Sequence, residues 1–315
     1  MQADPKLAYS TLCMHKQLRA LESCRLLVLT GKGGSGKSIL AAALALLYAK
    51  QGKKVWLVEI GRKRDKNFSR LPEILSVDAL QHTPTKISCG GASFEASILD
   101  PTQSLAEYLD MKLPTGGLAG ILLNNRVTAS FLEIVPGLPE MVSLGKIWHA
   151  LVEKKDGPDI VILDGPASGH CVSLLHSPEN FEKLTSQGPL HRDAFKMKEF
   201  LESRKEVAVL LTSLPEEMSL EESVEHHQIL HKLSLPLLFV NKIFPKLGKL
   251  KEKSKDKVLQ AAYDYSSERA SREETAIEEF ANENKKWPIL EIPFFFPDET
   301  APPLVERVAA HLEQS

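Results

Sequence analysis

The stretch LLVLTGKGGSGKSILAAALALLYAKQGKKVWLVEIG, residues 26–61, fits two nucleotide-binding signatures at once. Gly31, Gly33 and Gly36 spell G-x-G-x-x-G, and Glu59 ends the next apolar run about 20 residues later, where a dinucleotide fold places its ribose-binding carboxylate. Gly31–Ser38 also spell G-x-x-x-x-G-K-S, the P-loop of a nucleoside triphosphatase. Both readings need a buried strand, a glycine loop and a helix, and they differ in chemistry. Lys37 and Ser38 separate them. In a P-loop the backbone N–H groups wrap the phosphates, the lysine reaches the terminal ones and the hydroxyl ligates Mg²⁺. A dinucleotide site needs no such lysine and no metal. A P-loop also asks for a second acid at the end of another buried strand, and DIVILDGPASGH (159–170) supplies Asp164 there. The triphosphate reading follows. It makes Gly31, Gly33, Gly34, Ser35, Gly36, Lys37, Ser38 and Ile39 the phosphate cradle, and Ser38 and Asp164 the Mg²⁺ ligands.

Beyond this stretch, composition narrows the class. The 315 residues are 43% hydrophobic and 25% charged, which suits a globular protein. A net charge of −2 gives no electrostatic reason to expect nucleic acid as a partner. No apolar run reaches the length of a membrane span, and the N-terminus lacks the apolar core of a signal peptide, so a cytoplasmic location is expected. The four cysteines (13, 24, 89 and 171) are scattered without C-x-x-C, which argues against a zinc clamp or redox pair.

Short apolar runs at 25–30, 54–60, 87–99 (broken at Gly90-Gly91), 159–164, 207–213, 235–242 and 289–295 read as strands buried on both faces. Helical stretches at 37–51, 102–111, 138–154, 192–203, 219–233, 250–283 and 301–313 alternate with them. The expected fold is α/β: a doubly wound, mostly parallel sheet flanked by helices. Residues 1–24 read as a helical N-terminal extension and 25–315 as one nucleotide-binding domain. Within that domain, 246–286 is a charged, solvated helical excursion.

Lys32, early in K-G-G-S-G-K-S, adds a second lysine to the loop. Here the chain resembles the deviant Walker A (SIMIBI) ATPases, in which that lysine crosses a dimer interface to the partner's nucleotide. DGPASGH followed by CVSLL (164–175) looks like switch II of the arsenite-pump and Get-pathway ATPases, D-T-A-P-T-G-H-x-x-R-L-L. VPGLPEMVSLGKIWHAL (135–151), LTSLPEEMSLEESVEHHQIL (211–230), FVNKI (239–243) and EIPFFFPDET (291–300) resemble further segments of that family. The resemblance implies an ATP- and Mg²⁺-dependent dimeric switch ATPase, as a homodimer or paired with a related ATPase, serving an unidentified client protein. It also implies catalytic roles for Lys32, Lys37 and Asp164, base reading by Asn241, and closure of Pro293 and Phe294 over the base. The NKI ending lacks the aspartate of guanine-specific N-K-x-D proteins, so adenine is the expected base.

Three departures matter. Where the family carries a water-orienting switch I aspartate, LVEIGRKRDKNFS (57–69) has Gly61, with Glu59 and Asp65 as substitute acids. The alternative function is therefore a nucleotide-binding subunit that pairs with a catalytically complete relative. If the loop is otherwise intact, Gly61→Asp should raise turnover. The paired zinc-clamp cysteines and a metalloid-binding cysteine trio are missing, and the segment 176–206 lacks long Met/Leu-rich helices for shielding a transmembrane client. His170 and His176 read as solvated or hydrogen-bonded residues. Lys37→Ala is expected to abolish Mg-ATP binding, with ATP favoured over GTP by the wild type; calorimetric titration with each nucleotide checks both.

Overall fold

The computed structural model describes residues 18–61, 69–112, 135–248, 256–298, 300 and 302–314. These residues build one eight-stranded sheet with helices on both faces. In chain order the strands are β1 (Leu26–Gly31), β2 (Val55–Ile60), β3 (Thr85–Cys89), β4 (Ala92–Leu99), β5 (Ile160–Ala167), β6 (Val207–Ser213), β7 (Leu238–Ile243) and β8 (Ile289–Pro293). The sheet order is β3-β4-β2-β5-β1-β6-β7-β8, and every pairing is parallel except the β3–β4 hairpin at one edge. The chain thus winds to one side of β1 first and to the other afterwards. This puts the end of β1 at a topological switch point, where such sheets open a ligand crevice. The run expected at 87–99 is this hairpin, turned at Gly90-Gly91.

Alternation along β1 divides the core. Leu27 and Leu29 face helix α1 (Lys37–Lys50), while Leu26 and Val28 face the opposite layer. Helix α1 buries every residue from Leu40 to Tyr48 because it lies between the sheet and the last helix, α9 (Leu304–Gln314). Helix α9 presents Val305, Val308, Ala309 and Leu312, one helical stripe, to that cluster. The apolar run 38–49 is therefore a core helix. Leu18 and Leu21, in a 3₁₀ turn at the start of the described chain, are fully buried in the same cluster.

Between α1 and α9 come α2 (Leu71–Ile74), α3 (Pro101–Lys112), α4 (Leu138–Trp148), α5 (Ser168–Leu184), α6 (Pro189–Glu202), α7 (Glu217–Ile229) and α8 (Lys257–Glu283). A π turn, His149–Glu153, extends α4. Helix α5 is absent from the sequence reading, because Pro178 and many polar residues interrupt its pattern. Its buried residues Cys171, Leu174, Leu175, Pro178 and Phe181 nonetheless follow helical spacing. Pro178 lacks the N–H that would bond the Leu174 carbonyl, and the Ser177 hydroxyl donates to that carbonyl instead at 2.7 Å. Helix α8 is only half solvated. Val258 is 79% exposed, whereas Ala270, Glu273, Ile277 and Phe280 are buried against β7 and its neighbours.

Candidate nucleotide site

The loop between β1 and α1 lies at the switch point. Gly36, the residue before α1, has φ 93°, and a Cβ there would sit 2.3 Å from Asn241 Nδ2. Only glycine fits both the left-handed backbone and the close approach. The loop runs directly into the N-terminus of α1, where the first backbone N–H groups have no intrahelical acceptor and favour an anion. The sequence-predicted cradle, Gly31 to Ile39, is thus one continuous strand–loop–helix junction.

Lys37 is the first residue of α1 and folds back over the loop, with Nζ donating to the carbonyls of Gly31 (3.1 Å) and Lys32 (3.0 Å). Burial lowers its pKa, and Asp164 is the strongest opposing influence. Lys32 itself is half-buried, and among the described residues its ammonium has no hydrogen-bond or ion-pair partner.

The parallel register sets the acids. Asp164 on β5 pairs with Leu29 on β1 and with Glu59 on β2. Two carboxylates therefore lie side by side on adjacent strands at the ends nearest the loop. Asp164 is 5% exposed, and burial pushes its pKa up to about 7; a hydrogen bond from Ser38 and the charge of Lys37 oppose the shift, while Glu59 adds to it. Glu59 is also raised by burial and accepts a hydrogen bond from the Ser69 hydroxyl. Ser38 and Asp164 are hard oxygen donors in direct contact, a pair suited to Mg²⁺.

Two links run from the loop toward neighbouring elements. The Thr30 hydroxyl donates to the Pro166 carbonyl at 2.9 Å, next to the start of α5. There the Ser168 hydroxyl donates to Glu222 of α7 at 2.8 Å. Neither Glu222 nor Lys242, which donates to the Gly34 carbonyl at 2.7 Å, stood out in the sequence. The only local signal for Lys242 was its place directly after the strand-ending Asn241. Cys171 is fully buried beneath this segment, with Thr30 as its hydrogen-bond partner. No cluster of three or more metal-ligating side chains occurs among the described residues. His170 is exposed and His176 half-buried.

Asn241, Pro293 and Phe294 lie at the corresponding ends of β7 and β8. The Asn241 carboxamide donates to the Ser35 carbonyl at 2.7 Å, so it grips the loop directly. The Phe294 N–H donates to the Ile243 carbonyl at 2.7 Å. Its ring stacks with Phe244 (centroids 5.9 Å) and meets Phe296 edge-on (5.1 Å), which gives an aromatic cluster just beyond the ends of β7 and β8.

Gly61 changes one expectation. It continues the β2–β4 ladder inside the sheet, with its N–H donating to the Leu99 carbonyl at 2.8 Å. A Cβ there would meet Ile98 Cγ2 at 2.9 Å and the Leu99 oxygen at 3.2 Å. An aspartate would be crowded by β4, so the gain of turnover expected from Gly61→Asp loses its basis. Asp65 lies outside the described residues, which leaves Glu59 as the described substitute.

Two outcomes follow. The folded protein holds the Asp164 proton more tightly than the unfolded chain does. That contribution to stability is therefore greatest below the ordinary aspartate range and is lost as pH rises from 3.8 to about 7. Asp164→Asn should raise the thermal midpoint of nucleotide-free protein at pH 8 but hardly at pH 4, a difference on the order of a few kcal/mol; thermal unfolding at both pH values checks it. Gly61→Asp should destabilise the fold by about 1–3 kcal/mol without raising phosphate release, as measured by denaturant unfolding and a phosphate assay.

The family model of the anion-transporting ATPases matches residues 24–188, which contain the loop, both carboxylates and all of α5. ATPase BagA of Mycobacterium tuberculosis is 31% identical over 234 residues, covering 71% of this chain and 67% of that protein. ATPase ASNA1 homolog 1 of Paramecium tetraurelia is 32% identical over 157 residues, covering 49% of this chain and 43% of that one. No helix among the described residues is long and apolar enough to cross a membrane. A P-loop whose lysine and serine meet a strand-ending aspartate, in a chain matched over more than half its length, makes this protein a member of the anion-transporting ATPase family.

Proposed function

We propose that this chain is a cytoplasmic, ATP- and Mg²⁺-dependent switch ATPase that works as a dimer on a client protein. The observation that carries the reading is the meeting of Lys37, Ser38 and Asp164 at the head of α1. A phosphate there would draw the Lys37 ammonium from the Gly31 and Lys32 carbonyls to its own oxygens. Ser38 and Asp164 would hold Mg²⁺, which supplies charge neutralisation on the phosphates. Asp164 must lose its proton to serve as a ligand, so nucleotide loading near neutral pH should release protons.

Glu59, once ionised, would orient an attacking water in place of the missing aspartate. It lies beside Asp164 in register, and burial favours its protonated form. Asn241 and Phe294 frame an adenine on the β7–β8 side. The Thr30–Pro166 and Ser168–Glu222 bonds give the loop a physical route to α5 and α7, so a shift of the loop on phosphate binding would reach both helices.

One observation favours the second reading, a nucleotide-binding subunit completed by a related ATPase. Gly61 itself offers no carboxylate, and a Cβ there would already meet Ile98 Cγ2 at 2.9 Å. Single-turnover phosphate release by the purified chain separates the two: release requires a complete site, and its absence requires a partner.

The half-buried Lys32, whose ammonium has no partner among the described residues, is the residue expected to act across the dimer. Lys32→Ala should keep nucleotide affinity within about threefold of wild type while removing ATP-dependent association, because a lysine acting in trans contributes only in the closed pair. Light scattering with and without ATP measures this. A wild-type protein that stays monomeric with ATP bound would overturn the homodimer.

A further inference from the structure

We infer that Lys242 is a positioning residue of the phosphate loop, holding consecutive peptide planes of the loop in the orientation a polyphosphate requires. The inference rests on the reading of Gly31–Ser38 as a nucleotide loop. It starts from a backbone irregularity. β7 pairs with β8 through Asn241↔Ile292 and resumes at Ile243↔Pro293, leaving Lys242 as the extra residue of a bulge. Lys242 has φ 64°, a left-handed conformation that a lysine adopts only when its surroundings impose it. Bulges beside active sites commonly re-aim a side chain, and this one does so.

The redirected ammonium donates to the Gly34 carbonyl at 2.7 Å. The preceding side chain, Asn241, donates to the next carbonyl, Ser35, at 2.7 Å, and its own oxygen accepts the Lys242 N–H at 2.9 Å. The bulge and the carboxamide therefore lock each other while gripping two adjacent loop carbonyls. Between them passes Gly36, whose added Cβ would sit 2.3 Å from Asn241 Nδ2 and 3.7 Å from Lys242 Cε.

Peptide geometry turns this grip into function. In a planar trans peptide the carbonyl of one residue and the N–H of the next point in opposite directions. Drawing the Gly34 and Ser35 carbonyls toward β7 therefore turns the Ser35 and Gly36 N–H groups away from β7. The Ser35 N–H accordingly points across the loop to the Lys32 carbonyl, at 3.3 Å. Those N–H groups belong to the cradle, and the long 3.3 Å bond of Ser35 to the Lys32 carbonyl is one that an arriving phosphate oxygen would replace. Without the Lys242 ammonium, the Gly34–Ser35 plane is free to rotate, and part of the binding energy of phosphate goes into re-ordering it.

The test uses the full chain with Mg-ATP and Mg-ADP as probes. Lys242→Met keeps the stem and removes the charge-assisted bond, and affinity for both nucleotides should fall about tenfold. Lys242→Gly relieves the left-handed strain, so its nucleotide-free thermal midpoint should not fall, yet it should share the affinity loss. Lys242→Arg, which can still donate to the Gly34 carbonyl, should restore affinity to within about threefold. Affinities of the Met and Gly variants within about twofold of wild type, while Lys37→Ala loses binding, would overturn this role and leave the phosphate loop standing. Wild-type protein that binds neither nucleotide would overturn the loop reading and this role with it.

Discussion

The parallel pairing of β1 with β5 is the contact on which the site depends. It sets Asp164 level with Leu29, just before the phosphate loop begins, and extends through β2 to set Glu59 level with Asp164. Without that register Ser38 would have no carboxylate to meet, and Lys37 would lose its strongest opposing charge. The register is itself specified by burial. Leu26–Leu29 and Ile160–Leu163 are covered on both faces by separate apolar clusters, so a one-residue slip would exchange every side chain between two differently shaped layers.

Burial also gives the acids their chemistry. An aspartate in water is ionised far below neutral pH, but Asp164, enclosed and beside Glu59, is pushed up to about 7. Burial and the neighbouring Glu59 thus both favour the protonated form of Asp164. Lys37 shows the complementary arrangement. Its charge is partly desolvated, and its ammonium rests on loop carbonyls a short distance from where phosphate oxygens would arrive. Charge is arranged in advance of the ligand, which is how phosphoryl-transfer sites gain most of their effect.

The loop is held from both sides of β1. On one side Thr30 bonds the Pro166 carbonyl next to α5; on the other, Asn241 and Lys242 bond the Ser35 and Gly34 carbonyls from β7. Each bond joins residues far apart in sequence but at the same end of the sheet, because a doubly wound topology gathers its strand ends around the switch point. The strain stored at Lys242 sits in this ring of contacts rather than in a solvent loop.

What the sequence by itself determined was most of the local elements and the strand–glycine loop–helix pattern that reads as a phosphate loop. Glycine, lysine and serine at fixed spacing between a β-rich run and an alanine-leucine helix are a short-range pattern, readable without tertiary information. Strand 87–99 even showed its break at Gly90-Gly91. Helix α5 was hidden because Pro178 normally ends a helix, and only the packed structure shows Ser177 replacing the missing donor. Gly61 looked like an empty place for an aspartate until the fold put Ile98 and Leu99 beside it. The neighbours of Glu59, the grip of Asn241 and Lys242 on the loop, and the raised proton affinity of Asp164 were decided by the tertiary structure alone. Each depends on distances between strands that are remote in sequence, and on burial that no local pattern encodes.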